Sequence, residues 1–255
     1  MAELKRILIS NDDGINAAGI EVLERVAAGL ADEVWVVAPE RNQSGAGHSL
    51  TLRRPLRIRL VTDRRHAVDG TPTDCVMVAL HQLLRDKPVD LVLSGVNHGG
   101  NLAEDMTYSG TIAAAMESTL LGQRAIALSQ VCRERDPVKW ETAEHWAPDV
   151  IRRCLDIGWP EDTLLNVNFP DRKPDEVRGI RATRQGRRDI GEELIERIDP
   201  RGEPYIWVGA LRGADRHQDG TDLSAVNDGY VSVTPIHLDM THHESLNQLR
   251  RVEKG

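Results

Sequence analysis

The chemistry-bearing residues of this 255-residue chain gather in three short polar loops. The first is Asn11-Asp12-Asp13-Gly14, placed directly after an apolar run. Alone it reads as an aspartate-rich turn in which Gly14 supplies a positive φ. Two carboxylates set side by side also repel unless a cation lies between them. Asp12 and Asp13 therefore also suggest a hard divalent ion, although the tetrapeptide alone favours the plain turn, and an all-oxygen site permits Mg²⁺, Mn²⁺ or Ca²⁺. The second loop is Asn42-Gln43-Ser44-Gly45-Ala46-Gly47-His48-Ser49. Its glycines let backbone approach a ligand, and successive amides can form an anion-binding nest. Ser44 and Ser49 can donate to phosphate, Ser44 can instead ligate a metal, and His48 can bind phosphate or protonate a leaving group. The third is Ser94-Gly95-Val96-Asn97-His98-Gly99-Gly100-Asn101, where Asn97 offers a cation a neutral oxygen. Close behind, Tyr108-Ser109-Gly110-Thr111 opens a predicted helix. Free amides and the helix dipole there favour an anion, and the same residues also serve as a plain cap.

Other chemistries lack their residues. No pair of His or Cys stands at zinc spacing, and His98 is far from His48. His242-His243 reads as a solvated helix start. The Gly-Lys-Ser/Thr ending of a P-loop is missing, as are Gly-x-Ser-x-Gly and Gly-x-Gly-x-x-Gly. Serine acyl chemistry and dinucleotide chemistry are thereby disfavoured. Cys75, Cys132 and Cys154 are scattered and odd in number, which argues against a disulfide framework and for small buried hydrophobes.

The elements that must position these loops follow from apolar periodicity. Arg6–Ser10, Val34–Ala38, Asp90–Ser94 and Ala125–Ser129 are buried-strand runs. Gly19–Leu30, Pro72–Leu84 and Thr111–Leu121 carry helical spacing between them. Thr71 is the expected N-cap of the second helix, with Pro72 and Asp74 behind it. Thr51–Asp69 reads as two extended pieces around a turn at Thr62-Asp63. This alternation predicts a doubly wound, mostly parallel α/β sheet, with all three loops at its ligand-binding edge. After Gln130 the rhythm changes. Lys139–Leu155 reads as a helix, Leu164–Phe169 and Val231–Pro235 as strands, and the last fifteen residues as helical. Gly179–Val208 is charged and β-rich, with Glu203–Val208 one arm of a hairpin. The expected organisation is a catalytic core over 1–130, then a region over 131–255 that completes it and carries a projecting arm at about 184–210.

Apolar residues make up 40% and charged residues 28%, enough to bury a core. The net charge of −8 argues against a strongly basic surface for duplex DNA or RNA and suits a cytoplasmic protein. No run approaches the length of a membrane helix, and the first residues lack the apolar stretch of a secretory signal.

Seven segments resemble the SurE family of nucleotidases, in family order over nearly the whole chain. They are Ile9–Gly14, Val37–Gly45, Ala67–Cys75, Leu93–Asn101, Tyr108–Thr111, Thr183–Gly186 and Gly229–Pro235. The resemblance implies a Rossmann-like core that hydrolyses nucleoside monophosphates with one divalent metal per subunit, Mg²⁺ or Mn²⁺. It implies Asp12, Asp13, Ser44 and Asn97 as metal ligands. Gly45, Ala46, Gly47, His48 and Ser49 would form the phosphate loop, helped by Asn11, Asn101, Ser109, Gly110 and Thr111. Tyr108 is a candidate base platform. A homodimer or homotetramer is implied, its later chain embracing a partner. The sequence departs from many relatives at Gly47-His48, which leaves His48 without an assigned role.

The expected chemistry is in-line attack by metal-activated water, with Asp13 as general base and Asp12 holding the ion. A covalent aspartyl-phosphate is the rival step. A phosphate-binding regulator without turnover is the rival class.

Overall fold

The computed structural model describes residues 4–133, 136–190, 194–208, 212–215 and 218–252. Parts of the expected arm and the last three residues of the expected terminal helix lie outside them. In chain order the strands are β1 (Leu4–Ser10), β2 (Ala31–Pro39), β3 (Ile58–Thr62), β4 (Arg65–Val68), β5 (Leu91–His98), β6 (Ala125–Gln130), β7 (Thr163–Phe169), β8 (Ile180–Ala182), β9 (Arg188–Ile190), β10 (Leu194–Ile198), β11 (Pro204–Val208), β12 (Arg212–Asp215) and β13 (Val231–His237). The helices are α1 (Ala18–Ala28), α2 (Pro72–Val78), α3 (Gly110–Leu120), α4 (Trp140–Ile157), α5 (Asp222–Asn227) and α6 (His243–Leu249).

Nine strands form one sheet in the order β3-β4-β2-β1-β5-β6-β7-β13-β8. β4, β2, β1, β5, β6 and β7 run parallel, while β3 and β13 are antiparallel to β4 and β7. The continuous apolar runs follow from burial on both faces. Ile7, Ile9, Leu91, Leu93, Ile126 and Leu128 belong to a core shared with α1 and α4. The alternate residues Leu8, Val92, Ala125 and Ala127 belong to a second core with α2 and α3. The chain leaves β1 for β2 on one side and later returns to β5 on the other. The loops after β1 and β5 therefore flank the switch point, where a crevice opens in such sheets.

Local chemistry sets the helix ends. Thr71 and Asp74 form a reciprocal capping box at α2: Thr71 Oγ1 accepts from the Asp74 amide at 3.2 Å, and Asp74 Oδ2 accepts from the Thr71 amide at 2.8 Å. α2 is shorter than its periodicity suggests, since from Ala79 to Leu83 the backbone widens into a π turn. The β3–β4 turn falls one residue later than expected, at Asp63-Arg64. Of the last fifteen residues, Thr241 and His242 precede the helix and α6 begins only after His242, whose Nδ1 accepts from the Ser245 amide at 3.3 Å. α5, absent from the sequence reading, is capped by Thr221. Among the described residues no helix is long and apolar enough to cross a membrane.

α1 reaches the sheet because residue 19 has no side chain. A Cβ there would stand 1.9 Å from the Val96 carbonyl oxygen. Gly19→Ala should lower stability by about 2–3 kcal/mol in urea unfolding, as overpacking against backbone does. Gly29→Ala, whose nearest contact would be an ordinary 3.5 Å, should be neutral or stabilising. Equal midpoints for the two variants would contradict this packing.

Candidate active site

The acidic pair closes the switch point. Asp12 is buried, and its Oδ1 accepts from Thr111 Oγ1 at 2.5 Å. Thr111 lies in the first turn of α3, and the helix start is pressed directly onto the carboxylate. A Cβ on Gly110 would come within 2.6 Å of Asp12 Cβ, so only glycine fits there. Ser109 caps α3, its Oγ accepting from the Ile112 amide at 3.1 Å. Asp13 is less buried. Its Oδ2 accepts from the His98 amide at 3.0 Å and its Oδ1 from Asn42 Nδ2 at 3.5 Å. These bonds tie the first loop to both others.

The second loop is anchored at several points. The Gln43 amide donates to the Asp12 carbonyl at 2.7 Å. Asn42 bridges Asp13 and the exposed Ser44, its Oδ1 accepting from the Ser44 amide at 2.8 Å. The expected nest of amides is partly committed elsewhere. Ala46 donates to the Gln43 carbonyl at 3.0 Å, and Gly47 donates to the Tyr108 carbonyl at 3.1 Å. The latter bond docks the loop beside the start of α3. His48 Nε2 lies 2.8 Å from Glu117 Oε2, two turns along α3. Ser49 lends its carbonyl to Thr71 Oγ1 at 2.7 Å.

Asn97 Nδ2 donates to the Gly99 carbonyl at 2.9 Å, which leaves Oδ1 as the amide atom suited to a cation. Asn101 is the centre of a buried network. Its amide donates to Asn168 Oδ1 at 2.8 Å, its Nδ2 to Ser129 Oγ at 2.8 Å, and its carbonyl accepts from Asn166 and Asn168. Asn11, expected beside phosphate, instead closes its own turn. Its Nδ2 donates to the Gly14 carbonyl at 2.9 Å and its Oδ1 accepts from the Gly14 amide at 3.2 Å. Tyr108 is largely exposed.

Burial pushes the Asp12 carboxyl above its usual range; the Thr111 hydroxyl opposes this and the Asp13 charge adds to it. Burial also pushes Asp13 up, against the pull of the His98 amide and ring. A cation would reverse both effects. Among the described residues no cluster of three or more His, Cys, Asp or Glu side chains gathers for a metal. Neutral oxygens are available instead: Ser44 stands on a loop tied to Asp13 through Asn42, and Asn97 precedes the His98 amide bonded to Asp13. That donor set suits a hard divalent cation.

Three supporting residues were not singled out from sequence. Asn166 and Asn168 alternate with Val167 on a strand buried along its whole length, and polar residues in such a strand are a usable signal. Asp222 is fully buried and accepts from the amides of Ala103, Gly186 and Leu223 at 2.7–2.9 Å. It joins the loop after β5 to the Thr183–Gly186 segment, a contact local sequence cannot display.

The molecule is thus a doubly wound α/β protein with an acidic, helix-capped crevice at its switch point. The family model described as survival protein SurE matches residues 7–192. A 5'-nucleotidase SurE of Paramagnetospirillum magneticum is 62% identical over 96% of this chain and 94% of its own. Another, of Parvibaculum lavamentivorans, is 52% identical over 96% of this chain and 89% of its own. The crystal structure of a SurE protein from Aquifex aeolicus superposes with a TM-score of 0.85 at 44% identity, covering 97% of this chain and 99% of that one. The chain belongs to the SurE family.

The raised carboxyls give a sign-specific expectation without metal. A carboxyl whose folded pKa lies above its unfolded value holds more protons when folded, so its contribution to stability falls as pH rises through that range. In EDTA at neutral pH, Asp13→Asn should raise the urea midpoint or leave it unchanged. Added Mn²⁺ should stabilise the original protein and not the variant. A lower midpoint for the variant in EDTA would contradict the desolvation account.

Proposed function

We propose that this protein is a divalent-metal-dependent phosphomonoesterase that hydrolyses 5'- or 3'-nucleoside monophosphates to nucleoside and phosphate. The observation that carries this reading is the start of α3 packed onto the Asp12–Asp13 pair, which brings an anion-favouring helix end and a cation-favouring carboxylate pair together. The names of the relatives support the nucleotide as substrate class.

Asp12, Asp13, Ser44 and Asn97 would hold one Mg²⁺ or Mn²⁺, which when bound supplies Lewis-acid polarisation of the phosphoryl group and a lowered water pKa. Asp12 is the fixed ligand, because Thr111 orients it and Gly110 admits it. Asp13 Oδ1 accepts the proton of the in-line attacking water, since Oδ2 is engaged by the His98 amide at 3.0 Å and Oδ1 only by a long 3.5 Å bond from Asn42. The amides of Gly45, His48 and Ser49 and the start of α3 at Ser109–Thr111 hold phosphoryl oxygens as charge shifts onto them. Asn11, Ala46, Gly47 and Asn101 are positioning residues that keep the loops at that distance.

The chain works as a cytoplasmic homo-oligomer. All three cysteines are free thiols, as suits a reducing compartment. β10 and β11 form an antiparallel ribbon of their own, with Leu194, Ile198, Ile206 and Trp207 exposed. A two-stranded ribbon cannot bury both of its faces, so a second copy is the natural cover. Residues 1–130 then supply the catalytic loops, and 131–255 complete the sheet and carry the arm.

Two experiments test this. Phosphate release from a panel of 5'- and 3'-nucleotides should vanish in EDTA, return with Mg²⁺ or Mn²⁺, and fall at least about 100-fold in Asp12→Asn. No release from any nucleotide by folded, metal-loaded protein would refute the enzyme. For the assembly, light scattering should give a mass above one chain, and the double variant Ile206→Asp, Trp207→Asp should reduce it. An unchanged oligomer would remove the arm from the interface.

A further inference from the structure

A cavity of about 360 Å³ lies along α3, and His48 and Ser109 of the proposed phosphate site are among its lining residues. Ser109, Ile112, Ala113 and Met116 line it, a single stripe at helical spacing. The stripe begins one residue before Gly110, which rests on Asp12. At 1.5 Å per residue it offers about 10 Å of wall leading away from the acidic pair. A ligand whose phosphate sits at the start of α3 has room there for the rest of its length.

The lining describes that ligand. Of the five methionines in the chain, Met106, Met116 and Met240 all face this cavity. Thioethers are polarisable, adapt to shape and make favourable contacts with aromatic rings. No Lys, Arg, Asp or Glu is among the described lining residues, and the two histidines there, His48 and His237, each have Nε2 turned to a carboxylate, Glu117 and Asp162, so the lining is poorly suited to a second phosphate. The polar contributions are few. His48 is fixed by Glu117 at 2.8 Å; with Nε2 turned to a carboxylate, Nδ1 is the ring nitrogen left to bond a hydroxyl. Gln185 is oriented by donating to the Ala103 carbonyl at 3.1 Å, which gives the Thr183–Gly186 segment a place in the cavity wall. The volume falls within the range of small-molecule sites, which combine apolar walls with a few placed polar groups.

The geometry points to this cavity as the nucleoside pocket: the methionines contact the base and His48, held by Glu117, takes a ribose hydroxyl. This rests on the phosphomonoesterase reading and puts the base elsewhere than at Tyr108, the expected platform. Tyr108 is not among the lining residues, although its neighbours Thr107 and Ser109 are.

The first test needs no turnover. In protein labelled with ¹³C-methyl methionine, adenosine should shift the Met106, Met116 and Met240 signals saturably. Met77, outside the lining, should stay unmoved. The second test is kinetic. Met116→Trp should lower the ratio of kcat/KM for AMP over glycerol phosphate at least about tenfold, through KM. His48→Ala should lower the same ratio. Unmoved methionine signals at saturating adenosine, or an unchanged ratio in both variants, would overturn the pocket while leaving the enzyme intact. Adenosine-dependent shifts in a protein that hydrolyses no nucleotide would support the pocket and refute the phosphomonoesterase.

Discussion

Two adjacent carboxylates at the edge of a buried sheet are an electrostatic problem that shapes everything around them. Desolvation disfavours the charge on each, and on Asp12 the charge of Asp13 adds to the difficulty. The fold lessens this with partial positive charge from hydrogen-bond donors and a helix end. Thr111 donates to Asp12, the His98 amide donates to Asp13, and α3 begins against the Asp12 side chain. These donors come from the β5–α3 passage, and Asn42 adds one from the loop after β2, so the acidic pair is also where those passages are joined. Removing the Gly110 gap would separate helix and carboxylate, and with them the two halves of the crevice.

The rest of the loop structure keeps those donors in place. Asn101, Ser129, Asn166 and Asn168 form a buried hydrogen-bonded group beneath the loop after β5. A satisfied network of that kind rigidifies, whereas a single unpaired member would be costly. Asp222 extends the support to the C-terminal half by accepting from three backbone amides. The site is therefore held from both halves of the chain, although its acidic residues all come from the first.

What was legible in the sequence tracks the range of the forces involved. The central strands were readable because burial on both faces forces an uninterrupted apolar run, as in Val34–Ala38 and Leu91–Leu93. The polar loops were readable because parallel α/β topology sends them to one edge. The α2 cap was readable because Thr71, Pro72 and Asp74 are neighbours. The commitments of Asn11 and Gly47 were not, since both depend on which atom the folded backbone brings near. The π turn after α2 and the brief α5 escaped for a related reason. Their segments are short, and tertiary packing outweighs propensity there. The methionine-lined cavity was least legible of all: Met106, Met116 and Met240 have no common period.

α3 unites the features that a phosphoester enzyme needs. Its first turn addresses the acidic pair, and its next two turns form an apolar wall and the anchor for His48. A helix is stiff along its axis, so the distance from Thr111 to Met116 is set by backbone hydrogen bonds and not by loop conformation. Phosphate placement and recognition of what the phosphate is attached to then share one ruler. Where the wall were formed by a mobile loop instead, binding energy from the far end of a ligand would be dissipated in loop motion. Built on α3, it can be spent on holding the phosphoryl group in line with its nucleophile, which is where remote binding raises turnover.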